Sequence, residues 1–253
     1  MERLSSPVKK VGITGASGNI GTTLQMRFCK EYDLSLYDIK EGNRACNANF
    51  VKVDLAEKNK INGIFNGLDA LIHLAADPRP DAPEQLTYRN NFTVTKFVFE
   101  EAHRAGIKKI IFASSNFYHE QAITQKLNGT MKGLITLDMP PSPACLYGKS
   151  KVFGEKLGRH FSRLGMQFVA LRIGWTVPED NPTVYGGDYM RAVFCSKRDL
   201  GEAFSKALEV ETNFLAAFAV SNNSHTVFDL TETKEKLGFF PQDDAENYYK
   251  ASK

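Results

Sequence analysis

Tyr147-Gly148-Lys149-Ser150-Lys151 sets a phenol and an ammonium four residues apart. On a helix that spacing puts both on one face. An ammonium near a phenol favours the phenolate, so the tyrosine pKa is expected to fall from about 10 toward working pH. Such a group removes a proton from a hydroxyl, or returns one to a carbonyl oxygen. Ala113-Ser114-Ser115-Asn116 closes a strand-like run, and the Ser115 hydroxyl is placed to orient the same oxygen. These side chains move protons only; a bound cofactor must accept the hydride. The Y-x-x-x-K pair gains its weight from the ordered set around it.

The first member of that set is Gly15-Ala16-Ser17-Gly18-Asn19-Ile20-Gly21, which directly follows the apolar run Val11-Gly12-Ile13-Thr14. Glycines at this strand–turn–helix junction permit a tight turn, close approach to a pyrophosphate, and helix–strand packing. The phosphates then face the free N–H groups of a helix start. Asp38 ends the second strand-like run about 20 residues on, where an acid accepts hydrogen bonds from the adenosine ribose. A carboxylate there repels a 2′-phosphate, so NAD is expected over NADP; Lys40, two residues on, gives some NADP tolerance. Asp54 either accepts from the adenine amino group or caps a following helix, and the sequence leaves both open. The small residues of Leu74-Ala75-Ala76 let a cofactor pass close to the backbone. His73 just before them reads as a packed histidine.

The elements that must position these residues alternate. Strands are expected at 11–14, 33–37, 50–53, 71–74, 109–113 and 168–171. Helices are expected at 20–30, 93–105 and 146–164, the last two closed by Gly106 and Gly165. This alternation predicts an α/β fold with a Rossmann-type, doubly wound parallel sheet. Beyond Gly174 the pattern loosens. Residues 175–189 read as a loop, 199–209 and 231–237 as helices, and 218–220 as a short strand. The expected division is an NAD-binding domain over 1–174, carrying the serine and the Y-x-x-x-K pair, and mainly a small substrate lobe with the C-terminal elements over 175–253.

Composition narrows the class. A formal charge of +3, scattered along 253 residues, gives no case for nucleic acid. No apolar run reaches the roughly 18 residues of a membrane helix. Residues 1–10 lack the apolar core of a signal peptide. Cys29, Cys46, Cys145 and Cys195 form no C-x-x-C pair, so neither metal nor redox chemistry is expected. Free thiols fit a reducing compartment, hence a cytoplasmic protein.

Longer stretches carry a family resemblance. They are Leu71 to Pro80, Arg89-Asn90-Asn91, Phe112 to Asn116, Leu146 to Lys151, Leu171-Arg172-Ile173-Gly174, and Gly238 to Asp243. Over essentially its full length the chain resembles the extended short-chain dehydrogenase/reductases of the NAD-dependent epimerase/dehydratase type. Within them it is similar to the branch of bacterial uronate dehydrogenases and archaeal NAD-dependent glucose-6-phosphate dehydrogenases. The resemblance implies oxidation of the C1 hydroxyl of a cyclic sugar to a lactone. It implies Ser115, Tyr147 and Lys151 as the catalytic triad. The cofactor contacts it implies are the glycine loop, Asp38, Asp54, Leu55, Leu74, Ala75, Ala76, Asn91, Lys151 and Ile173. The sugar would lie among Pro78, Ser115, Asn116, Phe117, Tyr147 and Trp175. It also implies a homodimer through a four-helix contact of 93–105 and 146–164.

The chain departs from that branch at the substrate. Phe117 stands where the branch has a histidine, and Trp175 where it has a small polar residue. The arginine that grips a uronate has no clear counterpart, Arg191 lying out of register. Two bulky aromatics shrink or dry the pocket. A sugar phosphate stays open, with Arg79, Lys197 or Arg198 as candidate partners. An epimerase with tightly bound NAD and a non-catalytic NAD sensor are the rivals. Asn116-Phe117 argues against a dehydratase, and an intact triad argues against a mere binder.

Overall fold

A computed structural model of the chain describes residues 8–42, 44–45 and 47–251. Cys46 and residues 1–7, part of the segment read above for a missing signal peptide, lie outside the described residues. The strands are β1 (Lys10–Thr14), β2 (Asp33–Asp38), β3 (Asn49–Lys52), β4 (Ala70–His73), β5 (Lys109–Ser115), β6 (Gln167–Ile173) and β7 (Phe214–Ala219). They form one seven-stranded sheet, ordered β3-β2-β1-β4-β5-β6-β7, with every pairing parallel. The helices are α1 (Asn19–Phe28), α2 (Glu84–Thr87), α3 (Val94–Arg104), α4 (Glu120–Leu127), α5 (Leu146–Ser162), α6 (Gly187–Val193), α7 (Lys197–Glu209), α8 (Thr231–Leu237) and α9 (Ala245–Ala251).

Residue alternation along the strands divides the core in two, since successive side chains point to opposite faces. On β6, Val169, Leu171 and Ile173 join a core with Leu24 and Phe28 of α1 and Phe204 of α7. Phe168 and Ala170 join the opposite core, with Val98 and Phe99 of α3 and Phe161 of α5. The strand expected at 218–220 begins earlier, at Phe214, and completes the main sheet beside β6. Leu215, Ala217 and Ala219 alternate into the first core, which is why the run extends. The helix expected from 93 starts at Glu84, after the proline-rich stretch, and reaches α3 through a π-helical stretch, Tyr88–Thr93.

α5 lies unusually close to the sheet. A Cβ added at Gly154 would stand 2.3 Å from the Phe112 ring, and one at Gly158 2.1 Å from the Phe168 ring. Its face also carries Glu155, buried against Arg172 of β6. Arg172 donates Nε to Glu155 Oε1 at 3.0 Å and Nη2 to Oε2 at 2.9 Å. Ser114 Oγ of β5 donates to the same Oε1 at 2.6 Å. Arg172 Nη1 reaches His119 Nε2 and the Leu137 carbonyl, and the guanidinium lies 3.6 Å over the Tyr118 ring.

Two histidines are sealed in this interior. His73 sits between Thr14 Oγ1 (2.7 Å) and Thr95 Oγ1 (3.2 Å), stacked on Phe112. Burial, then the Lys151 charge, pushes its pKa down to about 3. Burial, then Arg172, pushes His119 down to about 3 as well.

Two outcomes follow from this packing. Gly158→Ala should lower stability by about 1–3 kcal/mol through overpacking. An unchanged urea midpoint would mean that α5 has room to move off the sheet. The second outcome concerns acid. An unfolded chain protonates its histidines near 6.5, whereas the folded one holds His73 and His119 neutral down to about 3. The unfolded state therefore binds more protons in that window, and stability falls as pH drops from about 6.5 toward 3. The urea midpoint should already decline between about pH 7.5 and 5, above the range where carboxylates titrate. A constant midpoint there would show that the two rings carry charge in the fold.

Candidate functional site

Strand order reverses between β1 and β4, and in open α/β sheets ligands bind in the crevice beyond the strand ends at such a point. A cleft of about 990 Å³ opens there. Its walls come from the segments that follow β1 to β6 and from the start of α5.

One end is the glycine turn. Gly15 has a φ of +68°, and a Cβ there would stand 2.8 Å from the Ala75 backbone nitrogen. At Gly21 a Cβ would meet the Ala16 carbonyl oxygen at 2.4 Å. The turn therefore closes only with bare backbone. Gly18 stands at the N-cap of α1 with no side-chain acceptor for the helix N–H groups, so that end keeps its donors for a ligand. Ser17, Gly18, Asn19 and Ile20 line the cleft with it. Asp38 Oδ2 accepts from the Ser17 N–H at 2.9 Å, which binds the acid to the turn. The bare-backbone cradle, free helix donors and adjacent carboxylate fit a dinucleotide. Asp54, Leu55, Leu74, Ala75 and Ala76 continue the wall. Asp54 caps no α-helix: Oδ1 accepts from the Ala56 N–H at 3.0 Å and Oδ2 from Arg89 Nη2 at 2.5 Å.

Asn91, expected at the cofactor, does not line the cleft, whereas Asn90 does. The Asn91 amide is turned to the backbone of Asp77, with Ser150 Oγ a further acceptor at 3.4 Å. Oδ1 accepts from the Asp77 N–H at 2.8 Å and Nδ2 donates to the Asp77 carbonyl at 2.9 Å. It holds the segment after β4 that carries Pro78 and Arg79 to the wall. The π-helical stretch containing Asn91 turns its amide to that segment; a strict helical reading of the sequence gives no sign of it.

At the other end Ser115, Asn116, Phe117, Tyr147, Lys151, Ile173 and Trp175 come together with Pro78. β5 delivers Ser115 at its last residue, and α5 delivers Tyr147 in its first turn with Lys151 one turn later. Ser115 Oγ donates to Asn116 Oδ1 at 3.1 Å. Phe117 meets Tyr147 edge-on, centroids 5.5 Å apart. Lys151 Nζ lies 5.3 Å from the Tyr147 ring centroid and donates to the Ala113 carbonyl at 2.9 Å.

The expected fall in the tyrosine pKa is not found. Burial pushes the Tyr147 phenol up to about 12, against the pull of the Ser115 hydroxyl beside it. Burial also brings Lys151 down to about 8. The phenol, partly buried in the cleft wall, loses hydration when it ionises, and the lysine nitrogen is spent on a carbonyl rather than on the phenol oxygen. Without a ligand the phenol therefore keeps its proton, and positive charge beside it would favour the phenolate.

The sequence missed Tyr189. Residues 175–189 were expected as loop, but Trp175 bridges to Phe194 and Tyr189 lies on α6. Tyr189 lines the cleft, its hydroxyl accepting from Asn116 Nδ2 at 2.7 Å. A tyrosine followed by an apolar residue three and four positions on (Ala192, Val193) was the only available hint. Of the expected phosphate partners, only Arg79 lines the cleft. Lys197 Nζ goes to the Pro178 carbonyl and Arg198 to Asp243, while Arg191, weighed above for a uronate, pairs with Glu246.

Comparisons with known proteins agree with this architecture. The chain is 30% identical to an L-arabinose 1-dehydrogenase (NAD(P)(+)) of Haloferax volcanii, covering 93% of this chain and 97% of that one. It is 28% identical to an NAD-dependent glucose-6-phosphate dehydrogenase of the same organism, covering 93% and 94%. Among solved structures, a tyrosine-to-alanine variant of uronate dehydrogenase from Agrobacterium tumefaciens, complexed with NAD, superposes with a TM-score of 0.82 at 26% identity, over 96% of this chain and 88% of that one. A profile of the NAD-dependent epimerase/dehydratase family matches residues 11–183, from β1 through the glycine turn, Ser115, Tyr147 and Lys151 to the loop after β6, and the chain belongs to that family.

Proposed function

We propose that this protein oxidises the C1 hydroxyl of a cyclic sugar or sugar phosphate to a lactone, with release of NADH. The observation that carries the reading is the meeting of Ser115 and Tyr147, backed by Lys151, in one cleft with the glycine turn. The names of the relatives support the same chemistry.

The glycine turn and Asp38 hold NAD at one end, with Asp54, Leu55, Leu74, Ala75 and Ala76 along its path and Ile173 near the nicotinamide half. NAD, when bound, supplies the hydride acceptor. Tyr147 takes the proton of the sugar hydroxyl, the Ser115 hydroxyl orients that oxygen, and Lys151 carries the neighbouring positive charge. Pro78, Asn116, Phe117 and Trp175 enclose the ring. The C1–H bond gives up its electron pair, the O–H bond gives up a proton, and C1 becomes a lactone carbonyl. The NAD-binding part, with the catalytic Ser115, Tyr147 and Lys151, is assigned to residues 1–174, and 175–253 mainly to a small substrate lobe and C-terminal elements, with β7 in the shared sheet. No described helix is long and apolar enough to cross a membrane. We read the protein as cytoplasmic, in keeping with its thiols, and as a homodimer through α3 and α5. Exposed Leu86 and Tyr88, the latter packed on Phe92 and Phe92 on Phe153, support the dimer.

The deciding assay mixes purified protein, NAD or NADP and a panel of aldoses, aldose phosphates and uronates, and follows NADH absorbance. Growth of the band on any of these sugars is expected. Silence across the panel with NAD retained would overturn the reading in favour of an epimerase. Tyr147→Phe should keep NAD binding and lose ~10²-fold or more in turnover, as expected for removal of the acid–base group. Equal turnover would refute the assigned role. Asp38→Ala should raise the KM for NAD more than that for NADP, because the carboxylate favours a free ribose and repels a 2′-phosphate. Equal weakening of both would remove Asp38 from ribose recognition.

A further inference from the structure

We propose that Tyr189 is a substrate-binding residue that selects an uncharged aldose, by donating its hydroxyl proton to a sugar oxygen remote from C1. The proposal rests on the sugar dehydrogenase reading above.

Three observations carry it. First, the Tyr189 oxygen is already used as an acceptor. Asn116 Nδ2 donates to it at 2.7 Å, while Asn116 Oδ1 accepts from Ser115 Oγ at 3.1 Å. The phenol, the amide and the serine thus form one chain across the cleft floor. Among the described residues no acceptor takes the Tyr189 proton, which is left to a ligand in the cleft that the side chain lines. Second, the ring is fixed. It packs against the apolar cluster of Ile123, Val193 and Phe218, and meets Trp175 edge-on at 6.0 Å. A preorganised donor loses little freedom when it binds.

Third, the cations that an anionic substrate would need are committed elsewhere. Arg191, two residues along α6, pairs with Glu246 and lies 3.9 Å over the Tyr249 ring. Arg79 is held by Asp77 through Nε at 2.9 Å and Nη2 at 2.6 Å. Lys151 donates to the Ala113 carbonyl. A carboxylate or phosphate entering beside Phe117, Trp175 and Tyr189 would shed water against aromatic faces while the cleft's arginines, Arg79 and Arg89, are already paired with Asp77 and Asp54. A neutral ring loses nothing comparable, and its hydroxyl meets a neutral donor. Burial raises the Tyr189 pKa, so that donor keeps its proton at working pH.

The test uses three sugars that share one ring and differ at C6: glucose, glucuronate and glucose 6-phosphate, with xylose as the sugar lacking C6. Steady-state kinetics with NAD are compared for the wild type, Tyr189→Phe and Tyr189→Arg. The wild type should turn over a neutral aldose with kcat/KM at least about tenfold above both anions, the scale of one lost or unpaired hydrogen bond. Tyr189→Phe should raise the aldose KM about tenfold, with kcat less affected and the KM for NAD unchanged. Tyr189→Arg should move preference toward glucuronate. An unchanged aldose KM in Tyr189→Phe, with the KM for NAD confirming an intact cofactor site, overturns the proposal. So does a wild type that prefers either anion; in both cases NADH still forms and the dehydrogenase reading stands. No NADH from any of the four sugars, nor from the wider panel above, overturns that reading and this proposal together.

Discussion

The buried pair of Glu155 and Arg172 joins the three elements on which the site depends. Glu155 follows Lys151 by four residues and Tyr147 by eight, so the three descend one face of α5. Arg172 is the next-to-last residue of β6, and Ser114, on the same carboxylate, precedes Ser115 on β5. One carboxylate thus sets the rotation of α5 against the strand ends carrying the other reacting groups. Two charges taken out of water at this depth are tolerable only with complete hydrogen bonding, and removing one partner of such a pair costs about 3–5 kcal/mol. Here the bonding is nearly complete: both oxygens of Glu155 are used, and four of the five Arg172 N–H groups are placed, two on Glu155 and one each on His119 and the Leu137 carbonyl. A mismatch in it would be felt first as a displaced Tyr147. Gly154 and Gly158 act along the other coordinate, distance from the sheet, where Phe112 and Phe168 leave no room for a methyl group.

Much of this was legible in the sequence because its signals are local. A glycine turn after a strand, an acid after the next strand, a serine at the end of the fifth, and Y-x-x-x-K on a helix all depend on neighbours within a few residues. The sheet follows from alternation of the same local kind. Asn91 and Tyr189 depended on something else. Asn91 turns to Asp77 because a π-helical stretch breaks the spacing a regular helix would impose. Tyr189 follows a segment rich in glycine, proline and acid, so its helix is too short to register in periodicity. Its partner Asn116 lies 73 residues away. The charge state of Tyr147 was misread for a third reason. Spacing reports that a lysine is near, but not that its nitrogen turns to Ala113, nor that Lys151 is buried and Tyr147 partly so.

The wall that faces α5 gains its position from Trp175. That residue is tied to the strand-like run before α7 by two backbone bonds, from its own N–H to the Val193 carbonyl and from the Cys195 N–H to its carbonyl. The stretch between, including Val184 and Tyr185 with about half or more of their surface in water, returns to a closed base. Closing a loop costs little more when it lengthens, about 0.6 kcal/mol per doubling. Within it Val177 and Pro182 are buried and Asp180 accepts from the Lys197 N–H, so it is the tip, Val184 to Asp188, whose length and composition are free to drift while the anchors stay in register. A lineage with this base has an inexpensive route to new sugars: the rim of the pocket is open to insertion and exchange without disturbing the acid–base apparatus beneath it.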